Sequence, residues 1–122
     1  MKELLNKIKS KSAIIEIFGL GYVGFPLAVK LSSIGFKTIG IDVNSERISR
    51  LQNNELQDSE KLLTEKFIEC RKQNLTLSEE SRETKIPKIG IICVPTPIPD
   101  TNTDSDIYVR KAVENFLSNA KS

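Results

Sequence analysis

The run Ile14-Ile15-Glu16-Ile17-Phe18-Gly19-Leu20-Gly21-Tyr22-Val23-Gly24-Phe25-Pro26-Leu27-Ala28 constrains this chain more than any other stretch. An apolar segment of strand length runs into closely spaced glycines and then into a helical pattern. Gly19, Gly21 and Gly24 fit the spacing G-x-G-x-x-G. In such a turn the first glycine makes the sharp bend off the strand. The second leaves room for a ligand to approach the backbone, and the third lets the helix lie close on the strand. The unpaired N–H groups at the helix start, with the positive end of its dipole, attract phosphate.

A glycine triplet alone is weak evidence, so its context must carry the reading. A second strand, predicted over residues 37–42, ends in Asp42. Asp42 stands 21 positions after Gly21, close to the ~20-residue spacing of a ribose-binding carboxylate in dinucleotide folds. A carboxylate there accepts hydrogen bonds from both adenosine ribose hydroxyls and repels a 2′-phosphate. The expected ligand is therefore NAD rather than NADP. The plain alternative is a surface glycine turn plus an Asp helix cap.

Around these features the chain alternates strands and helices. The apolar spacing predicts an amphipathic helix over 1–11, packed on a sheet edge, and a strand at 13–18. A helix follows at 22–34, with Val23, Leu27, Leu31 and Ile34 on one face, and Gly35 stops it. Short and longer helices are expected at 45–53 and 59–72, and a brief third strand at 75–77. Residues 78–88 read as an irregular connection. A fourth strand at 89–94 is apolar on both faces, as suits a parallel strand covered by helices. A proline-broken loop spans 95–103, and a last helix spans 105–119 with a stripe of Val109, Ala112, Val113, Phe116 and Leu117. The pattern is α/β: a Rossmann-type parallel sheet with helices on both faces, right-handed crossovers, and only the first half of the fold plus strand four and one helix. Residues 1–122 are thus expected to form one domain, a fragment of a longer protein.

Composition narrows the function. With 122 residues there is room for one core. A net charge of +2 is too small to argue for nucleic acid or a membrane surface. No apolar run approaches the ~20 residues a membrane helix needs. Two cysteines, Cys70 and Cys93, make no disulfide framework, which fits a cytoplasmic, reduced protein. The chain has no histidine, so the commonest general base and metal ligand is missing, and no metal site is expected.

The second constellation is Ile91-Ile92-Cys93-Val94-Pro95-Thr96-Pro97. A buried strand runs into Pro-Thr-Pro at its carboxyl end, where open α/β sheets place their ligands. The prolines fix φ and hold Thr96 extended across the strand tips.

Together these residues resemble the UDP-glucose/GDP-mannose dehydrogenase family of nucleotide-sugar 6-dehydrogenases. The matching pieces are Gly19 to Ala28, Gly35-Phe36, Gly40 to Asn44 with Arg47-Ile48, Ile92 to Pro97, and Tyr108-Val109 with Ala112. They span about residues 13 to 117. The basic N-terminal preamble is similar to that of the branch acting on UDP-N-acetylhexosamines. The resemblance implies NAD-dependent oxidation of a UDP-sugar C6 hydroxyl to a carboxylate, giving a uronic acid for surface polysaccharide. It also implies cofactor contacts. Backbone around Tyr22 and Val23 would hold the pyrophosphate, Asp42 the adenosine ribose, and Arg47 the adenosine. Val94, Pro95 and Thr96 would lie near the nicotinamide-side ribose. The family's catalytic cysteine, with its lysine and aspartate, belongs to a later domain, so these residues by themselves are expected to bind NAD without turnover. Cys70 and Cys93 read as core residues. Where the family has Gly-Glu this chain has Asn54-Glu55, and asparagine tolerates the left-handed conformation such a turn needs. Residues 57–88 show no family pattern, and Thr103 to Asp106 replace its Pro-Asp-Leu. Other readings of the same residues are a stand-alone nucleotide-binding module and a β-hydroxyacid dehydrogenase. Strand four, lacking an outer neighbour, is expected to drive self-association through its edge or through the last helix.

Overall fold

The first strand, β1 (Ile14–Phe18), is buried along its whole length. Its β-branched and aromatic residues can be covered on both faces only in the middle of a sheet. In the computed structural model, which describes residues 2–83, 86–94 and 107–118, β1 lies between β2 (Lys37–Ile41) and β4 (Lys88–Ile92). The third strand, β3 (Leu75–Ser78), pairs with β2, giving the order β3-β2-β1-β4 with every pair parallel. Parallel pairing brings all four carboxyl ends to one side of the sheet. The ladder also continues past the strands there. Gly19 N–H donates to the Ile41 carbonyl at 2.7 Å, Asp42 N–H to Ser78 at 3.1 Å, and Cys93 N–H to Phe18 at 2.6 Å.

Helices cover both faces. Ile15, Ile17 and Leu20 pack with Phe25, Ala28 and Val29 of α2 (Gly24–Ser33). The same core takes in Ile48 and Leu51 of α3 (Ser45–Gln52) and Phe67 and Cys70 of α4 (Thr64–Gln73). On the opposite face Phe18 and Ile41 pack with Ala112 and Phe116 of α5 (Ile107–Ser118). The Phe18 and Phe116 rings meet edge to face, 6.1 Å apart. The Phe116 ring lies on Gly90, where a β-carbon would come within 2.9 Å of it. The amino-terminal helix α1 (Lys2–Lys9) leaves Leu5 exposed and Ile8 half-buried.

The Rossmann-type architecture agrees with the sequence pattern, and the third strand forms. Asn54 takes the left-handed conformation, φ 61°. Most boundaries shift by a residue or two, and three differences bear on the site. Helix α2 begins at Gly24, because residues 21–23 remain in the turn. The single helix expected at 59–72 is a 3-10 helix at Asp58–Leu63 followed by α4. The tighter opening turn follows from the Gln57–Glu60 capping box. The strand expected at 89–94 to be covered on both faces is Lys88–Ile92, and Gly90 and Ile92 are exposed. Among the described residues nothing pairs with its outer edge, which explains the exposure.

Candidate cofactor site

Immediately after β1 the chain turns back at Gly19, whose φ is +100°. A β-carbon there would sit 2.6 Å from the Cys93 carbonyl oxygen, so both the backbone angle and the space demand glycine. Gly24 is equally constrained for a different reason. A β-carbon on it would collide with the Gly19 carbonyl and press within 3.2 Å of the Cys93 β-carbon. Gly21 is the opposite case, with open space where its β-carbon would be. Gly21, Tyr22 and Val23 stand on the surface, Tyr22 at 88% exposure. No side chain caps the start of α2 and no acid occupies its first turn. The positive end of the helix is left for an external anion.

Asp42 closes β2 beside this turn. Its Oδ2 accepts the Leu20 N–H at 3.0 Å and its Oδ1 accepts the Asn44 N–H at 2.9 Å. A carboxylate has about four acceptor sites, so two bonds leave capacity for ribose hydroxyls. Asn44 in turn caps α3, its Oδ1 accepting from Arg47 N–H at 3.1 Å.

The Arg47 side chain runs back beneath the turn. Nε and Nη2 donate to the Leu20 carbonyl at 3.0 and 2.8 Å, and Nη2 meets Glu60 Oε2 at 2.6 Å. The guanidinium lies over the Phe25 ring, 5.2 Å from its centre. The Arg47 side chain is 11% exposed and that of Glu60 6%. Val94 is half-buried against the Phe18 and Ile41 cluster. Pro95 and Thr96 lie outside the described residues. The structure therefore brings Gly19, Gly21, Tyr22, Val23, Gly24, Asp42 and Arg47 to one end of the sheet, with Val94 alongside.

Two concavities, of about 390 and 360 Å³, flank α3 on its two sides. One runs toward Ser78 and Arg82, the other toward Glu55 and Gln57. Neither is lined by the glycine turn.

The two thiols behave differently. Cys70 is buried in the core, as expected. Cys93 falls just past the end of β4 and is half-buried, with burial pushing its thiol above the ordinary 9.0. Desolvation of this kind favours the neutral thiol, which is unreactive.

Two acids that matter here escaped the sequence reading. Glu60 lies in a segment whose spacing predicts a single helix, and its one sequence signal is the capping-box spacing from Gln57. Glu16 lies fully buried within β1, where it holds Lys88 at 3.0 Å and Ser81 at 2.7 Å. An acid inside an apolar strand was its signal.

Residues 13–122 match the UDP-glucose/GDP-mannose dehydrogenase family, NAD binding domain. The chain belongs to that family. A UDP-N-acetyl-D-mannosamine dehydrogenase from Methanococcus maripaludis is 37% identical to this NAD-binding domain over 108 residues, covering 84% of the chain and 25% of the relative. Protein CapL from Staphylococcus aureus is 36% identical over 100 residues, covering 82% and 22%. The solved structure of the UDP-N-acetyl-mannosamine dehydrogenase Cap5O from S. aureus superposes with a TM-score of 0.75 at 28% identity, covering 87% of this chain and 25% of its own. The chain thus spans about a quarter of the length of these relatives. The residues present suit NAD. There is open space at Gly21, an acid-free helix start, and a carboxylate with spare acceptor sites at the tip of β2.

Proposed function

We propose that this domain holds NAD for a nucleotide-sugar 6-dehydrogenase, within a longer polypeptide that oxidises the C6 hydroxyl of a UDP-sugar to a carboxylate. The names of its relatives favour a UDP-N-acetylhexosamine, UDP-N-acetyl-D-mannosamine in particular, and CapL and Cap5O favour a role in making surface polysaccharide. The observation that carries the reading is Asp42, whose carboxylate sits at the glycine turn, 3.0 Å from the Leu20 amide.

In this reading the backbone of Gly21, Tyr22 and Val23 receives the pyrophosphate on the open side of the turn. The remaining acceptor sites of Asp42 take the adenosine ribose hydroxyls, and its charge rejects a 2′-phosphate. Arg47 lies on the adenosine side, and Val94, Pro95 and Thr96 form the nicotinamide side. Bound NAD supplies the hydride acceptor. Among the described residues there is no activated nucleophile: Cys70 is buried, burial raises the Cys93 thiol, and the sequence has no histidine. These residues alone therefore bind without turnover. For the 122 residues by themselves we read a homo-oligomer, formed through the outer edge of β4 that no described strand covers. Two free thiols suit the reducing cytoplasm. Among the described residues no helix is long and apolar enough to cross a membrane.

Calorimetric titration with NAD and NADP tests the assignment. Heat with NAD and much weaker binding of NADP is the expected result. Equal binding of the two, or none, overturns it. NADH formation from UDP-sugars by these 122 residues alone would overturn the assignment of catalysis to other segments.

A further inference from the structure

We infer that Glu60 is a positioning residue for the cofactor turn, acting through Arg47 on the carbonyl of the Leu20–Gly21 peptide; the inference rests on the NAD reading above. Leu20 joins two peptide units, and these are held by different elements. Its N–H is held from β2, by Asp42 at 3.0 Å. Its carbonyl is held from α3, by the two-pronged Arg47 contact at 3.0 and 2.8 Å. The Leu20 side chain is fully buried, so the peptide has no freedom to follow it outward.

The fork of Arg47 is itself aimed by Glu60. Oε2 takes the Arg47 Nη2 proton at 2.6 Å, while Oε1 accepts the Gln57 N–H at 3.2 Å and so closes the first turn of the 3-10 helix. Each carboxylate oxygen thus has a different donor. The Phe25 ring packs beneath the guanidinium, its centre 5.2 Å away. A buried arginine needs an anion, and a planar fork satisfies the carbonyl and the carboxylate together in a way a lysine cannot. The result is a relay of contacts from the 58–63 segment, through α3, to the residue between the first two glycines. The carbonyl held by Arg47 belongs to the Leu20–Gly21 peptide, so the orientation of that peptide fixes where the open face of the turn points. Glu60 need not touch cofactor to set its affinity.

A glutamine at position 60 has one acceptor oxygen for two donors, and its NH2 would face one of them. NAD titrated calorimetrically into the wild-type chain and into Glu60→Gln is expected to bind the variant about tenfold more weakly, the scale on which losing an outer-shell partner weakens a ligand site. The amide resonances of Leu20, Gly21 and Tyr22 should shift in ligand-free Glu60→Gln while those of Ile15 and Ile17 stay in place. A purely structural role would lower the melting temperature and leave both the affinity of the folded protein and these amides unchanged. Should Glu60→Gln fail to fold, Arg47→Lys serves, since it keeps a cation opposite Glu60 but loses the fork; the same loss and the same local shifts are expected. Affinity within about twofold of wild type in the folded variant, or a loss of affinity with the turn amides unmoved, overturns the inference. Failure of the wild type to bind NAD overturns the cofactor reading instead.

Discussion

The Asp42 carboxylate accepts the Leu20 amide hydrogen at 3.0 Å, across 22 positions of sequence. One acid therefore does two things. It ties the tip of β2 to the glycine turn, and it presents its other acceptor sites to whatever lies on that turn.

Asp42→Ala should remove both. The loss of one hydrogen bond to a charged acceptor, about 1.5–3 kcal/mol, corresponds to a fall in NAD affinity of roughly 10- to 100-fold. NADP, which loses a repulsion at the same time, should lose less, so the preference for NAD narrows. Parallel calorimetry with the two cofactors reads this directly. An unchanged ratio would show that the carboxylate does not face the ribose.

The glycines should separate by location. Gly24→Ala forces a methyl group into the Gly19 carbonyl, and overpacking of this sort costs about 1–3 kcal/mol or more. Gly19→Ala adds a strained φ of +100° to its clash with Cys93. Gly21→Ala meets nothing, so its melting temperature should match wild type while its NAD affinity falls. A Gly21→Ala protein that binds NAD normally would mean that the diphosphate does not approach on that side.

Below α5 lies the Glu16–Lys88 pair, with side chains 0% and 4% exposed. Ser81 Oγ and the Arg82 N–H also reach the carboxylate, and Lys88 Nζ lies 4.7 Å from the centre of the Phe116 ring. Lys88→Met leaves a buried carboxylate without its cation and should cost about 3–5 kcal/mol in urea unfolding. Glu16→Gln combined with Lys88→Met removes the unpaired charge and should recover much of that loss. If the double variant is no better than the single one, charge compensation is not what the pair contributes.

Cys93 gives a pH dependence. Its thiol is raised by burial, so the folded state keeps a proton that the unfolded chain releases near the ordinary value of 9.0. The stabilising contribution is complete below that pH and is lost as pH rises through the folded value. Alkylation by iodoacetamide at mildly alkaline pH should accordingly be slower in the native protein than in the urea-unfolded chain. Equal rates would show that burial does not shield the thiol.

The parts of the site legible in the sequence are those built from contiguous residues or fixed spacings. The turn at Gly19 to Gly24, the acid at Asp42 and the strands between them depend on local backbone geometry and on period-two or period-3.6 burial, which the sequence displays directly. Arg47 was legible as a residue of interest, but its setting was not. The contacts that set its course come from Leu20 and Glu60, 27 and 13 positions away. Glu60 and Glu16 are charged residues made tolerable by partners brought together only in three dimensions. Single-residue hydropathy marks them as surface. The same limit explains β4. Its apolar residues read as a strand covered on both faces, whereas coverage depends on what lies beside it in the sheet.

That strand carries the last prediction. Ile92 is 37% exposed at the carboxyl end of β4, and Gly90 is exposed beside it. Among the described residues no strand pairs with this edge, which presents backbone donors and acceptors next to apolar side chains. Such an edge is a template for another chain, and the 122-residue protein should self-associate as its concentration rises. Light scattering behind size exclusion should show a mass that grows with loading. A lysine on an edge strand blocks pairing by its charge and hydration, so Ile92→Lys should shift the association to higher concentration without lowering NAD affinity by more than about twofold. A wild-type protein that stays monomeric at high loading, or an Ile92→Lys protein that associates as readily, would mean that the edge is already protected within the chain.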